Sequence, residues 1–548
     1  MTLRPLIFVF FSLLLSQTLP NIIPAQEPPP NLNKPEREQW LMDNGFGIFI
    51  HWSLDSQLGT VISHTLAGAS DEYIQRYINE LPTTFNPVHW NPLQLGLLFK
   101  RAGAKYVVFT TKHHSGFCMW DTETTDFNII NTPYNKDVVS SWVEGMRNAG
   151  LAVGFYYSPE DFIFSYRNGV QHINRSFKQE DYLPFKDKFK DHVETQITEL
   201  FTQYGPIDLF FNDGNIYGFA NPKVWELQPN CLITRSVIPT PEQSVPSVGL
   251  AGAWESCLTM TDQWHYKPND VNRKSPLRII EILVETRAKG GALLLNVGPR
   301  PDGSLDDTDY QNLITLSAWN FINQEALFDT RPWIVTHEGP LWFTKKKEKN
   351  TVYVFLFGQQ NWQRGERRNF VIHSVESTPE TKVSVLGMSG EIVEYNPHLR
   401  GKAYPIAEQK ADGLHLSVMR AQRIYNNHQW PYPLVVKLEN VKAGLEPPLL
   451  ETLKARKEEN HVVLRGKLHS PGDAESVMVG FEHRPYLGWI PENQLSPGDK
   501  EWRATPLLRM TKPGEFEMII EAGTNERQIY RAVVVHPEIR LYGGDVEY

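Results

Sequence analysis

The chain has 548 residues, 41% of them hydrophobic, which is more than one core usually holds and points to two or three domains. Its 54 Lys and Arg stand against 63 Asp and Glu, a net charge of −9 with no long basic run, which argues against a nucleic-acid partner. The three cysteines, Cys118, Cys231 and Cys257, are odd in number and lack CxxC spacing, so neither a disulfide framework nor a zinc site is implied. One disulfide stays open, and a small buried hydrophobe is the default for each.

Met1 to Ala25 has the layout of a secretory signal: Arg4 gives a positive start, Leu6 to Leu15 is apolar except for Ser12, and Ile23-Pro24-Ala25 offers a cleavage end. No later stretch is long and apolar enough to span a bilayer, so a secreted or periplasmic protein without a membrane span is expected. Residues 26–38 form a proline-rich lead-in. From 39 to 337 helical and strand-like segments alternate. Gly45 to Ile50 reads as a buried strand that ends at His51-Trp52. Helix Pro92 to Arg101 leads to strand Tyr106 to Thr111, which ends at Lys112-His113-His114. Helix Val138 to Ala149 leads to Leu151 to Phe155, which ends at Tyr156-Tyr157-Ser158. Phe185, Phe189, Val193, Ile197, Leu200 and Tyr204 recur at helical spacing and Gly205-Pro206 stops them, after which Ile207 to Gly214 is a strand with Asp213 at its carboxyl end. Cys231 to Arg235 and Ala251 to Glu255 read as two more strands, and helix Arg278 to Lys289 feeds Ala292 to Pro299.

This alternation predicts a multidomain α/β plus β chain whose catalytic domain is a (β/α)8-like barrel, with the eighth strand expected near Gln263 to Tyr266. From 338 to 442 short alternating strands, such as Thr351 to Phe357 and Leu434 to Leu438, predict an antiparallel β-sandwich. After a break at Ala443 to Pro448, residues 443–548 read as an immunoglobulin-like β module.

His51, His113, His114, Tyr156, Asp213, Arg235 and Glu255 all fall at or just beyond expected strand ends, where a barrel keeps its active site. Two carboxylates on different strands, Asp213 and Glu255, fit glycoside cleavage, one attacking the anomeric carbon and the other protonating the leaving oxygen. Trp120, Phe211 and Trp254 offer apolar faces for a sugar, and the histidines offer partners for its hydroxyls. The blander reading makes such a carboxylate a helix cap or half of an ion pair. His113-His114 are a metal-ligand type without a third ligand at a recognisable spacing, and Gly290-Gly291 and Gly298-Pro299 match no phosphate-loop pattern and read as turn residues.

Gly47-Ile48-Phe49-Ile50-His51-Trp52, Thr111-Lys112-His113-His114-Ser115-Gly116-Phe117, Leu209-Phe210-Phe211-Asn212-Asp213, Trp254-Glu255 and Gly290 to Pro299 together resemble the retaining α-L-fucosidases of glycoside hydrolase family 29. The resemblance covers Trp40 to Trp333 closely and leaves the residues after about Ala443 unexplained. It implies Asp213 as nucleophile and Glu255 as acid/base, with Asp262 or Glu242 as substitutes. It also implies fucose contacts from His51, His113, His114 and Tyr156, with Arg235 a further one. Phe211 stands where members often carry Trp, and the loop His64 to Tyr73 lacks a Glu-Trp pair that some members use, leaving His64, Glu72 or Tyr73 in that place. The expectation is a secreted, exo-acting, retaining α-L-fucosidase of fucosylated oligosaccharides or polysaccharides, with no metal or organic cofactor. Its rivals are the same scaffold acting on another α-L-sugar such as α-L-galactose, and a noncatalytic fucose-binding protein. Oligomeric state is not readable.

Overall fold

The structure is a computed structural model and describes residues 30–174, 177–214, 216–359, 361–392, 398, 400–421, 433–458, 461–487, 501–521 and 527–548. The expected signal segment and Trp489 lie outside these residues. Seven parallel strands form the first sheet: β1 Phe46–Ile50, β2 Tyr106–Lys112, β3 Ala152–Tyr157, β4 Leu209–Asn212, β5 Leu232–Ile233, β6 Glu255–Thr259 and β7 Ala292–Val297. Their order is β5-β4-β3-β2-β1-β7-β6. Nearly every residue in them is buried, as a parallel sheet covered on both faces requires.

The crossover helices begin and end where local chemistry dictates. Asn91, Asp137 and Ser275 each accept a backbone N–H at the start of helices Pro92–Ala102, Val138–Ala149 and Pro276–Ala288. The first of these stops at Gly103, whose φ of 101° puts it in the left-handed region. Among the described residues no helix is long and apolar enough to cross a membrane. All three cysteines are buried and unpaired, as the default reading had them.

Two expectations for this domain need correction. β6 begins at Glu255, where the sequence pattern ended it, so Glu255 lies opposite Ala292 at the amino end of the sheet. Residues 263–266 form no strand, and β5 and β6 are the sheet's two edges. The stretch Pro239 to Gln243 runs parallel beside β6 instead: the Glu255 and Cys257 N–H groups donate to the Pro239 and Pro241 carbonyls (3.1 and 3.0 Å), and Gln243 N–H donates to Cys257 (2.9 Å). Two prolines leave that ribbon short of donors, which keeps it from being a regular strand. The free edge of β5 is covered by the lead-in, because the Asn33 amide both donates to and accepts from Ile233 (2.8 and 2.9 Å).

Beyond this domain the sheets are antiparallel. A six-stranded sheet, with Thr351–Leu356 and Leu434–Ala443 at its centre, and the three strands Arg367–Ile372, Gly413–Met419 and Ile406–Lys410 bury Phe343, Val354, Leu416 and Val436 in one core. In the last module, Leu449–Lys457, His461–Ser470 and Gly514–Glu521 pack on a sheet centred on Val477–Pro485 and Gln528–Val535, around Leu464, Phe481, Phe516 and Tyr530.

Candidate active site

A cavity of about 1130 Å3 opens at the carboxyl ends of β1 to β6, a little above the roughly 300–1,000 Å3 of ligand pockets. Strand register brings its polar residues there: Tyr156 on β3 stands opposite Phe211 on β4, and Asp213 N–H donates to the Tyr157 carbonyl just beyond. His51, His64, His113, His114, Tyr156, Phe211, Asp213 and Arg235 all line the cavity.

Asp213 is the centre of the charge pattern. Tyr156 O–H donates to its Oδ2 at 2.7 Å, His114 Nε2 is 3.6 Å from the same oxygen, and Arg235 Nη2 is 3.6 Å from Oδ1. Burial pushes this carboxyl's pKa up, but the charge of Arg235 and the Tyr156 hydroxyl outweigh burial and hold it below the ordinary value. A side chain on Gly214 could not follow Asp213, since its φ is 130° and a Cβ would lie 1.6 Å from Glu160 Oε2. Glu160, which the sequence did not single out, is fully enclosed behind that turn; it accepts the Ile216 N–H, and burial raises its pKa to about 7.

The histidines are neutral and their tautomers follow from their partners. Asn296 donates its amide to the Trp264 carbonyl, so its oxygen faces His51, and His51 Nδ1 donates to it at 2.7 Å. The Ser158 hydroxyl donates to the Glu160 carbonyl, so His114 Nδ1 donates to Ser158 Oγ at 2.6 Å. Both rings therefore keep Nε2 as a hydrogen-bond acceptor. Burial lowers His51 to about 3, His114 to about 4, and His113 well below its usual range. Phe49, Phe211 and Trp264 add apolar faces, Trp264 standing 4.7 Å from the His51 ring.

Besides Asp213, the cavity is lined by Glu242, Asp262 and Glu285, and of these it is Glu242 that shares a cation with Asp213. Its Oε2 lies 3.1 Å from the Arg235 Nη2 that also faces Asp213. The sum of the two contacts keeps those oxygens within about 7 Å, a bound that includes the about 5–5.5 Å spacing of a retaining pair. Glu255 is not brought there: it is completely buried at the opposite end of the sheet, where Tyr106 O–H donates to Oε1 at 2.5 Å. Trp254 lies beside it, over Gly291, where a Cβ would come within 2.4 Å of the indole. Trp120 is also enclosed away from the cavity, its indole N–H donating to Glu199 at 2.9 Å. The donor atoms of His113, His114 and Asp213 lie within 4.8 Å of one another, a spacing that a metal ion can bridge, but the Arg235 cation on the same carboxylate would repel one.

The sequence model of the family described as alpha-L-fucosidase matches residues 20–325. The chain belongs to the alpha-L-fucosidase family, glycoside hydrolase family 29. It is a glycoside hydrolase of that kind, as its motif blocks implied. It is 24% identical over 441 residues to an alpha-L-fucosidase of Dictyostelium discoideum, covering 70% of this chain and 91% of that one. It is 26% identical over 407 residues to the tissue alpha-L-fucosidase of Mus musculus, covering 64% and 84%. Among solved structures, alpha-L-fucosidase isoenzyme 1 from Paenibacillus thiaminolyticus superposes with a TM-score of 0.60 at 24% identity, over 74% of this chain and 99% of that one. An enzyme of family 29 from Bacteroides thetaiotaomicron, trapped as a covalent intermediate with 2-fluoro-fucosyl fluoride, gives 0.56 at 21% identity, over 75% and 97%. At these identities the structural likeness carries the fold alone: a parallel α/β domain followed by several antiparallel sheets.

Proposed function

We propose that this chain is an exported, exo-acting enzyme that removes terminal α-L-fucose with retention, with Asp213 as nucleophile and Glu242 as acid/base. The observation that carries the reading is the shared contact of both carboxylates with Arg235 in one cavity. Asp213 attacks the anomeric carbon as the bond to the aglycone oxygen breaks, and Glu242 gives that oxygen its proton. The ester that forms removes the negative charge of Asp213 while Glu242 acquires one. Arg235 touches both sites, so the charge moves across one guanidinium and stays paired throughout. Water then attacks the fucosyl-enzyme with Glu242 as base. His51 and His114, with Nε2 acceptors, receive fucose hydroxyls, and Trp264, Phe49 and Phe211 face the apolar side of the sugar. Export rests on the layout of Met1 to Ala25, and the N-terminal residue of the mature protein tests it.

Azide rescue of Asp213→Ala, Glu242→Ala and Glu255→Ala on an aryl α-L-fucoside tests the assignment. Rescue of the Asp213 variant as β-fucosyl azide identifies the nucleophile, and rescue of the Glu242 variant as α-fucosyl azide identifies the acid/base. Loss of Glu242 is expected to cost roughly 10²–10⁴-fold in kcat on a poor leaving group. If azide rescued the Glu255 variant and the Glu242 variant kept its rate, Glu242 would lose the role; if wild type cleaved aryl α-L-galactosides in preference, the sugar would be reassigned.

A further inference from the structure

The cavity wall is not built by the first domain alone. Arg484, on strand Val477–Pro485 of the last module, and Leu487 just after it also line it. That module is fixed against the first domain nearby, with Ser247 Oγ donating to Asp545 at 2.7 Å and Gly544 packed against Val248. Arg484 stacks its guanidinium 4.6 Å over the Trp502 ring, which leaves its N–H groups directed in the plane, where a carboxylate or sulfate can meet them. Its Nε is buried without a hydrogen-bond partner, and Asp545, whose charge acts on Arg484, forms no ion pair with it. Other cations on the wall are engaged: Arg235 with Asp213 and Glu242, Arg278 with Glu281 at 3.2 Å, and Lys274 on the Thr259 carbonyl at 2.7 Å. A half-buried guanidinium without an ion-pair partner is stabilised by an anionic acceptor that reaches its terminal N–H groups from the cavity.

We propose that Arg484 forms the far end of the aglycone subsite and selects fucosylated glycans that carry an anionic group, a carboxylate or a sulfate, near the scissile fucose. This rests on the fucosidase reading and adds the class of glycan beyond the fucose. Leu487 supplies the apolar contact beside the charge. Arg484 is thus a specificity-determining residue and takes no part in bond breaking.

The test compares kcat/KM on two substrate pairs: a fucosylated oligosaccharide containing a uronic acid against its carboxyl-reduced form, and a sulfated one against its desulfated form. Wild type is expected to favour the anionic member of at least one pair by roughly tenfold, the order of one charge-assisted hydrogen bond that keeps some solvent. Which pair shows it names the anion. The preference should shrink as salt is raised, a measurement that needs no variant. It should vanish in Arg484→Gln through KM and persist in part in Arg484→Lys. Equal rates within both pairs, or a preference that survives in Arg484→Gln, overturns the proposal. Wild type that cleaves 4-nitrophenyl α-L-fucoside yet shows no preference overturns this inference alone, whereas wild type that cleaves none of these substrates overturns the fucosidase reading with it.

Discussion

Glu255 begins β6 and Asp213 directly follows β4 of the same sheet, yet their surroundings shift their pKa values in opposite directions. Asp213 faces a guanidinium and a hydroxyl at the cavity wall and stays ionised. Burial raises Glu255 from 4.5 to about 7, with the hydrogen bond from Tyr106 only partly opposing it. A group whose pKa is higher in the folded than in the unfolded chain binds its proton more tightly when folded. Its contribution to stability is therefore complete below the unfolded value of 4.5 and is lost as pH rises through about 7. Glu255→Gln keeps an acceptor for Tyr106 and never ionises. Compared with wild type, the variant should gain on the order of 2 to 3 kcal/mol between about pH 5 and about pH 8, read as a rise in Tm that grows with pH. It should also retain kcat on fucosides with poor leaving groups. A collapse of kcat without loss of fold would return Glu255 to the chemistry.

At the scale of the element, the edges of the sheet decide how the site is held. β5 is two residues long and leads directly into Thr234 and Arg235, so its edge must be fixed if Arg235 is to meet both carboxylates. Asn33 does this with two hydrogen bonds to Ile233. Asn33→Ala should cost about 1–2 kcal/mol in denaturant unfolding and speed hydrogen exchange at the Ile233 amide. Unchanged exchange there would mean that another group covers the edge. These edges are also where the sequence was least legible. β1 to β4 and the helices between them follow from apolar period and caps, and with them the positions of His51, His113, His114, Tyr156 and Asp213. β6 does not, because Glu255, Ser256 and Thr259 are polar yet buried, while the more apolar Ala251 to Trp254 precede the strand. Prolines hid the ribbon that carries Glu242, so that residue was readable only as a substitute for Glu255. Trp264 stood in a stretch read as a strand, and only tertiary packing brings it beside His51.

In the whole molecule the first core runs on into the middle sheets through Tyr353, Phe355 and Val435, while the last module keeps a core of its own and must hold its place for Arg484 to reach the cavity. Polar links contribute little to that docking. The ion pair of His373 with Glu538 (3.0 Å) has side chains 24% and 43% exposed, and such pairs are worth at most about 1 kcal/mol. Ile539 is different. It is 6% exposed and belongs to the core of the preceding sheets, with Leu541 packed alongside, so the last module inserts an apolar side chain into its neighbour. Replacing it by Ala removes buried methyl groups at the junction and should weaken docking by about 2–4 kcal/mol. Since the module keeps its own core around Phe481, Phe516 and Tyr530, the loss should uncouple it without unfolding it. Calorimetry should then show the last module melting separately, and proteolysis should cut more readily near Ala443 to Pro448. Any preference for anionic glycans should fall although Arg484 is intact, while 4-nitrophenyl α-L-fucoside is still cleaved. A variant that melts as wild type does and keeps that preference would show that the module is held by contacts other than Ile539.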